Sequence, residues 1–359
     1  IILTKLIKIF IVKIAIIGAG FYGSYLAYKF SNIKGIKVDL FEKNKKILSE
    51  TAIKNQYRLH TGYHYPRSIA TILQTSEGYK LFKKEFKKFL YFPNKNYYLI
   101  HKKSLINFKK YKKTFNNLNF KFKNINLSEI SSLIDSTEMQ GCMNTEEGVI
   151  LLDKLINNFR KKLLKKANII KNTKITKIDN IKGEIFSEQK KYLNYNFIIN
   201  STYQNPNLGL KRKKFNTKFE LTAMVKIKNP FIEQCGITIM DGPFCSIYPQ
   251  NNEYSTISSV KYTPISKNNF YSHIQKSLIH LDKNKVIKNI ITHARKYIKL
   301  PKNLGKKELI VSYKVKVKND RGDLRTSNLI MENRQISILC GKLDAVTVIY
   351  KIIKKKIGL

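Results

Sequence analysis

Residues 55–68 read NQYRLHTGYHYPRS, an unusual string in a chain dominated by lysine, isoleucine and asparagine. Arginine is scarce elsewhere, yet Arg58 and Arg67 fall here with His60, His64, three tyrosines, Gly62 and Pro66. Imidazole is the side chain that gains and loses a proton near neutral pH, and guanidinium binds anions through two coplanar hydrogen bonds. The types gathered in these residues therefore suit proton transfer next to an anion. The plainer reading of each is also open: Arg67 could pair with a surface carboxylate, and Tyr63 and Tyr65 are more often wall residues than reacting ones.

What must position such a loop precedes it. In VKIAIIGAGFYGSYLAYKFSNIKGIKVDLFEKN, the run KIAII is continuous and apolar, as in a parallel strand buried on both faces. Gly18, Gly20 and Gly23 then form a GxGxxG around Phe21 and Tyr22, Leu26, Ala27 and Phe30 follow at helical spacing, and a second strand, KVDLFE, ends at Glu42. Gly18 permits the tight turn, Gly20 lets the backbone approach a pyrophosphate, and Gly23 lets helix and strand pack closely. The helix N-terminus offers N–H groups to the phosphates. Glu42, about twenty residues on, stands where a carboxylate accepts hydrogen bonds from an adenosine ribose, and its charge disfavours a 2′-phosphate. The motif alone does not choose between NAD and FAD.

The loop makes that choice. Asn55, His60-Thr61-Gly62-Tyr63-His64-Tyr65-Pro66 and Ser68 resemble the segment after the second strand in the D-amino-acid-oxidase-like (DAO) family of FAD-dependent oxidoreductases. Within it they look most like the branch containing L-2-hydroxyglutarate dehydrogenase. The stretches TEEGVILLDKLINNFRKKL, ANIIKNTKITKI, FIINSTYQN and RGDLRTSN resemble later segments of the same family. Two elements depart from it: Ser201-Thr202-Tyr203 replaces an Ala-Gly turn, and Cys340-Gly341-Lys342 stands for a glycine-rich turn before the last helix. The resemblance implies FAD as cofactor, with Gly18, Gly20, Phe21, Tyr22, Gly23, Glu42, Asn55, Gly62 and Gly341 around it. It implies His60 at the flavin as base, ring partner or covalent link, with His64 and Arg67 facing substrate. Arg325 is implied as a carboxylate clamp, the alternative being a salt bridge to Asp320 or Asp323. Tyr248 is a weaker pocket candidate. The implied reaction is hydride transfer to flavin from a C–H/OH or C–H/NH centre of a small, anionic 2-hydroxy acid or amino acid. A flavin-dependent sugar-nucleotide mutase and a flavin-binding protein without turnover are the alternatives.

The implied fold is α/β, a Rossmann-like FAD-binding domain interleaved with an antiparallel-sheet α+β substrate domain. The expected segments are 11–90, 146–205 and 308–359 for the first, and 91–145 with 206–307 for the second. Residues 72–90 and SEISSLI read as helical, FNTKFELTAMVKIKNP, GITIMDGPFCSIYPQ and EYSTISSVKYTPI as antiparallel strands, and HIQKSLIHLDKNKVIKNIITHARKYI as an amphipathic helical stretch.

Composition sets the remaining limits. The chain has 359 residues, enough for two domains, and its 43% hydrophobic content excludes disorder. The net charge of +44 comes from lysine scattered along the whole chain, which reads as compositional drift, not a nucleic-acid-binding face. It still favours anionic substrates and allows peripheral membrane association. Cys142, Cys235, Cys245 and Cys340 form no CxxC pair, so no metal site or disulfide framework is expected and a reducing cytoplasm fits. His101, His273, His280 and His293 read as surface or helix-face residues. The apolar first stretch is broken by Lys5, Lys8 and Lys13 and reads as a lead into the first strand, with no transmembrane span.

Overall fold

The computed structural model describes residues 11–318 and 327–359. Its chain forms two compact units whose segments alternate along the sequence. The first comprises the described residues up to Ala52, Ile156–Phe215 and Ser327–Leu359; the second comprises Ile53–Leu155 and the described residues from Asn216 to 318. Residues 53–90, 146–155 and 308–318 thus group with the second unit, not with the first as expected, and 206–215 with the first. Backbone pairing accounts for part of this: Arg58–Leu59 pairs with Gly148–Ile150, and Glu308–Val317 pairs along Thr217–Lys228.

The first unit is built on a six-stranded sheet. Its order is Asn328–Glu332, Gln335–Leu339, Phe197–Asn200, Val12–Ile17, Ile36–Phe41, Asn168–Ile170. All neighbours are parallel except the edge hairpin Asn328–Glu332/Gln335–Leu339. Residues 14–17 are buried without a break, as a strand covered on both faces requires. A small antiparallel sheet, Ile175–Asp179, Glu184–Ser187 and Lys191–Tyr192, covers one face. Ala15, Ile17, Phe41 and Ile198 pack there with Ile175, Ile178, Ile185 and Tyr195. The helix Phe21–Ser31 sets Tyr25 edge-on to Phe159 of the helix Leu152–Leu163 and to Tyr350 of the helix Val346–Lys356.

The second unit carries a nine-stranded sheet. Its main order is Pro264–Asn268, Thr217–Lys228, Tyr254–Ser259, Cys245–Pro249, Cys235–Met240, Lys95–His101, Met139–Thr145, Phe122–Ile125. The expected antiparallel pattern holds with one exception: Cys235–Met240 lies parallel to Lys95–His101, which the long connection between them permits and a hairpin would not. Alternation along each strand divides the faces. Val225, Ile227, Ile237, Ile239, Ile247 and Ile257 pack against Ile290, Ile291 and Ala294 of the helix Lys283–Ala294. Tyr98, Ile100 and Met240, on alternate positions, join Ile72 of the helix Ile69–Phe86 and Tyr111 and Phe115 of the helix Phe108–Asn117.

Local differences have local causes. SEISSLI supplies only a short 3₁₀ turn at Leu127–Ile130, while the amphipathic stretch breaks into Tyr271–Ile279 and Lys283–Ala294 because the Asp282 side chain accepts from Lys285 N and starts a new helix. His101 is buried, contrary to the surface reading, and its Nδ1 accepts from Lys103 N; His293 lies on the helix Lys283–Ala294, as the helix-face reading has it, but on a buried face, with Nδ1 3.0 Å from Ser259 Oγ. Among the described residues no helix is long and apolar enough to cross a membrane.

Candidate active site

In the first unit the glycine turn follows the strand Val12–Ile17 directly. Gly18 has φ +94°, and a Cβ there would sit 3.0 Å from Ser201 O. Gly23 has no room at all: an added Cβ would lie 1.9 Å from Gly18 O and 2.6 Å from Ser201 Oγ. Gly20 is the opposite case. A Cβ there would meet nothing within 4 Å, no side chain caps the helix it begins, and the helix's first turn carries no acidic residue. The N–H groups of a helix's first turn beside open space are what a pyrophosphate needs, so the turn fits the phosphates of a dinucleotide.

Glu42 is 8% exposed and holds this turn in place. Its Oε2 accepts from Ala19 N at 2.8 Å and its Oε1 from Asn44 N at 2.9 Å. Burial raises the carboxyl's pKa, partly offset by those two N–H groups. A carboxylate has about four acceptor sites, so capacity remains for ribose hydroxyls. Phe21 is buried edge-on to Phe159, while Tyr22 OH donates to Lys342 O at 2.5 Å and lies 2.9 Å from Cys340 Sγ. Tyr22 thereby fastens the Cys340-Gly341-Lys342 turn. In the Ser201-Thr202-Tyr203 turn, Tyr203 adopts φ +60°, and Ser201 Oγ lies 2.9 Å from both Ile17 O and Gly18 O.

In the second unit the NQYRLHTGYHYPRS segment wraps a buried charge. Asn55 Oδ1 accepts from Tyr57 N, stabilising the turn in which Tyr57 has φ +57°. The short strand then aims the Arg58 side chain inward, where it is 1% exposed against a fully buried Glu147. Arg58 Nε donates to Glu147 Oε2 at 2.5 Å and Nη1 donates to Thr238 Oγ1 at 2.8 Å. The guanidinium lies 4.1 Å from the Tyr248 ring centre and 5.0 Å from that of Tyr98. Tyr98 OH donates to Glu147 Oε2 at 2.9 Å, and Thr61 N donates to Oε1 at 3.2 Å. Burial on its own would push the Glu147 carboxyl up; Arg58 and His60 outweigh it and hold it well below the usual carboxylate range.

His60 completes the cluster. Its Nδ1 is 3.4 Å from Glu147 Oε1, and its side chain is 19% exposed. The ring centre is 5.1 Å from that of His64 and 5.9 Å from that of Tyr65. Gly62 adopts φ +134°, which strains any L side chain, and a Cβ there would stand 3.1 Å from Ile72 Cγ2. Arg67 is not part of this group: its Nε donates to both oxygens of Asp241, at 2.9 and 3.0 Å. Arg325 lies outside the described residues. The structure thus brings His60 and His64 together and adds Arg58, Glu147, Tyr98 and Thr238, which the sequence analysis missed. The available signal was Arg58 in the odd segment, but nothing local paired it with an acid.

A parallel strand, a GxGxxG turn, a helix and a second strand followed by a buried carboxylate are the organisation of a dinucleotide-binding domain. Residues 13–215 match the family described as DAO, FAD dependent oxidoreductase, and the chain belongs to that family. It is 27% identical over 258 residues to the FAD-dependent monooxygenase FPY4 of Fusarium mangiferae, covering 71% of this chain. The chain spans just under two thirds, 66%, of that relative's length. Among solved structures it resembles a Tyr-to-Phe mutant of NikD, an unusual amino acid oxidase essential for nikkomycin biosynthesis. The TM-score is 0.77 at 10% identity, over 97% of this chain and 94% of the other. It also resembles L-alpha-glycerophosphate oxidase from Mycoplasma pneumoniae with FAD bound, with a TM-score of 0.72 at 15% identity over the same shares. These two likenesses are of fold.

Proposed function

We propose that the protein oxidises a C–H/OH or C–H/NH centre of a small anionic substrate, a 2-hydroxy acid or an amino acid. The observation that carries the reading is the His60 imidazole, partly exposed in the segment that resembles the family's flavin-side loop, with a buried carboxylate 3.4 Å from Nδ1. When bound, FAD supplies a hydride acceptor. Gly18, Gly20, Gly23 and Glu42 would hold its pyrophosphate and ribose. His60 would take the proton that leaves the substrate oxygen or nitrogen, the work of a positioned base. With Arg67 engaged by Asp241, the role of carboxylate clamp falls to Arg325, whose guanidinium offers the planar pair of donors a lysine lacks. The charge of +44 favours anions generally. The similar proteins include an amino acid oxidase and an L-alpha-glycerophosphate oxidase, which agrees with oxidation at carbon next to nitrogen or oxygen.

The test is stopped-flow bleaching of the flavin absorbance under anaerobic conditions with 2-hydroxy acids and amino acids. His60→Asn is expected to slow bleaching by about 10²–10⁴-fold, the usual worth of a general base, with flavin content unchanged. Bleaching of that variant at the wild-type rate would remove His60 from the reaction.

A further inference from the structure

The proposed reaction leaves Glu147 and Arg58 without a part. Glu147 is 0% exposed, less than any other carboxylate among the described residues. Stability is a poor reason for such a pair, because well-packed apolar residues of similar volume usually do as well. The distribution of contacts over the two carboxylate oxygens suggests another reason. Oε2 receives Arg58 Nε and Tyr98 OH, while Oε1 is turned to Thr61 N and to His60 Nδ1. The backbone is fixed on both sides of His60, at Leu59 by pairing with Gly148 and at Thr61 by Oε1.

We infer that Glu147, held by Arg58, is a positioning residue for His60: it fixes the imidazole with Nδ1 toward the carboxylate and strengthens it as a base, leaving Nε2 as the atom that takes the substrate proton. This rests on His60 being the base. A carboxylate behind an imidazole selects the tautomer and stabilises the protonated ring. Arg58 has the complementary task. Bound to Thr238 and stacked on Tyr248, it keeps the carboxylate charged where burial alone would neutralise it, so the transferred proton stays on the ring. The other groups around the cluster do not supply a competing charge at the ring. Tyr63, Tyr98, Tyr111 and Tyr248 are pushed far above neutrality by burial. Glu146 is engaged by Tyr79 and Lys83. His64 and Tyr65, with ring centres 5.1 and 5.9 Å from that of His60, are the further titratable neighbours.

The experiment uses the full-length FAD-loaded protein and three variants: Glu147→Gln, the double Arg58→Met/Glu147→Gln, and His60→Asn. Two quantities are followed against pH: the NMR titration of the His60 ring, assigned by its loss in His60→Asn, and kcat/KM from anaerobic flavin bleaching. Removing the carboxylate is expected to shift the His60 titration and the acidic limb of the rate profile together to lower pH by about one unit or more, and to slow bleaching at least tenfold. The double variant carries the test if Glu147→Gln alone does not fold, since it leaves no unpaired buried charge. A titration and acidic limb that stay at their wild-type positions overturn the inference while leaving His60 as base. A His60→Asn protein that bleaches at the wild-type rate overturns both.

Discussion

A buried arginine between two tyrosine rings can neither be solvated nor lose its proton, so its carboxylate partner must remain charged as well. That couples Arg58 and Glu147 energetically. Removing one partner leaves the other as an uncompensated buried charge, at a cost of about 3–5 kcal/mol, whereas removing both leaves no charge uncompensated. Urea unfolding at pH 7 should therefore show Arg58→Met and Glu147→Gln each strongly destabilised and the double variant closer to wild type. Additive losses would contradict the coupling. The pH dependence follows from the direction of the Glu147 shift. Its folded-state pKa lies below the unfolded value, so its stabilisation is complete above the unfolded pKa of about 4.3 and is lost as pH falls through the folded one. Wild-type stability should decline with acidification below about pH 5 more steeply than that of the double variant. Glu42 acts with the opposite sign: its raised pKa contributes stability below the unfolded value and loses it as pH rises through the folded one.

The glycine turn was legible as an element because strand, turn, helix and terminal acid all lie in one short stretch, and each residue's task is local. The Arg58–Glu147 pair was not, since its members are 89 positions apart and meet only when Arg58–Leu59 pairs with Gly148–Ile150. Arg67 looked like Arg58 in sequence, and the difference between them is set by Asp241, the left-handed residue at the start of a hairpin turn 174 positions on. Tyr203 hides a turn that composition would assign to glycine. Within the turn, two glycines with different tasks give a sharp prediction. Gly23→Ala puts a Cβ 1.9 Å from Gly18 O and should lower Tm and FAD affinity together. Gly20→Ala meets no protein atom and has φ −69°, so it should leave Tm of the apo protein unchanged while weakening FAD binding. Differential scanning fluorimetry of the apo proteins and a fluorescence titration with FAD separate the two. Equal loss of apo Tm in both variants would mean that the space beside Gly20 serves packing.

At the scale of the molecule, two interleaved units divide the work between one chain's segments. The first carries the fit to a dinucleotide, in Gly18, Gly20, Gly23 and Glu42; the second carries the cluster of His60, Glu147 and Arg58. The interleaving was legible only through the family resemblance, because the boundaries at 52, 155 and 215 coincide with no change in composition. The most direct test of the whole account is the absorbance of the purified, FAD-reconstituted protein between 300 and 550 nm, recorded anaerobically before and after addition of 2-hydroxy acids and amino acids. The account predicts bound flavin bands that bleach with at least one member of those two classes. Failure to retain FAD after reconstitution, or a bound flavin that none of them reduces, would contradict it.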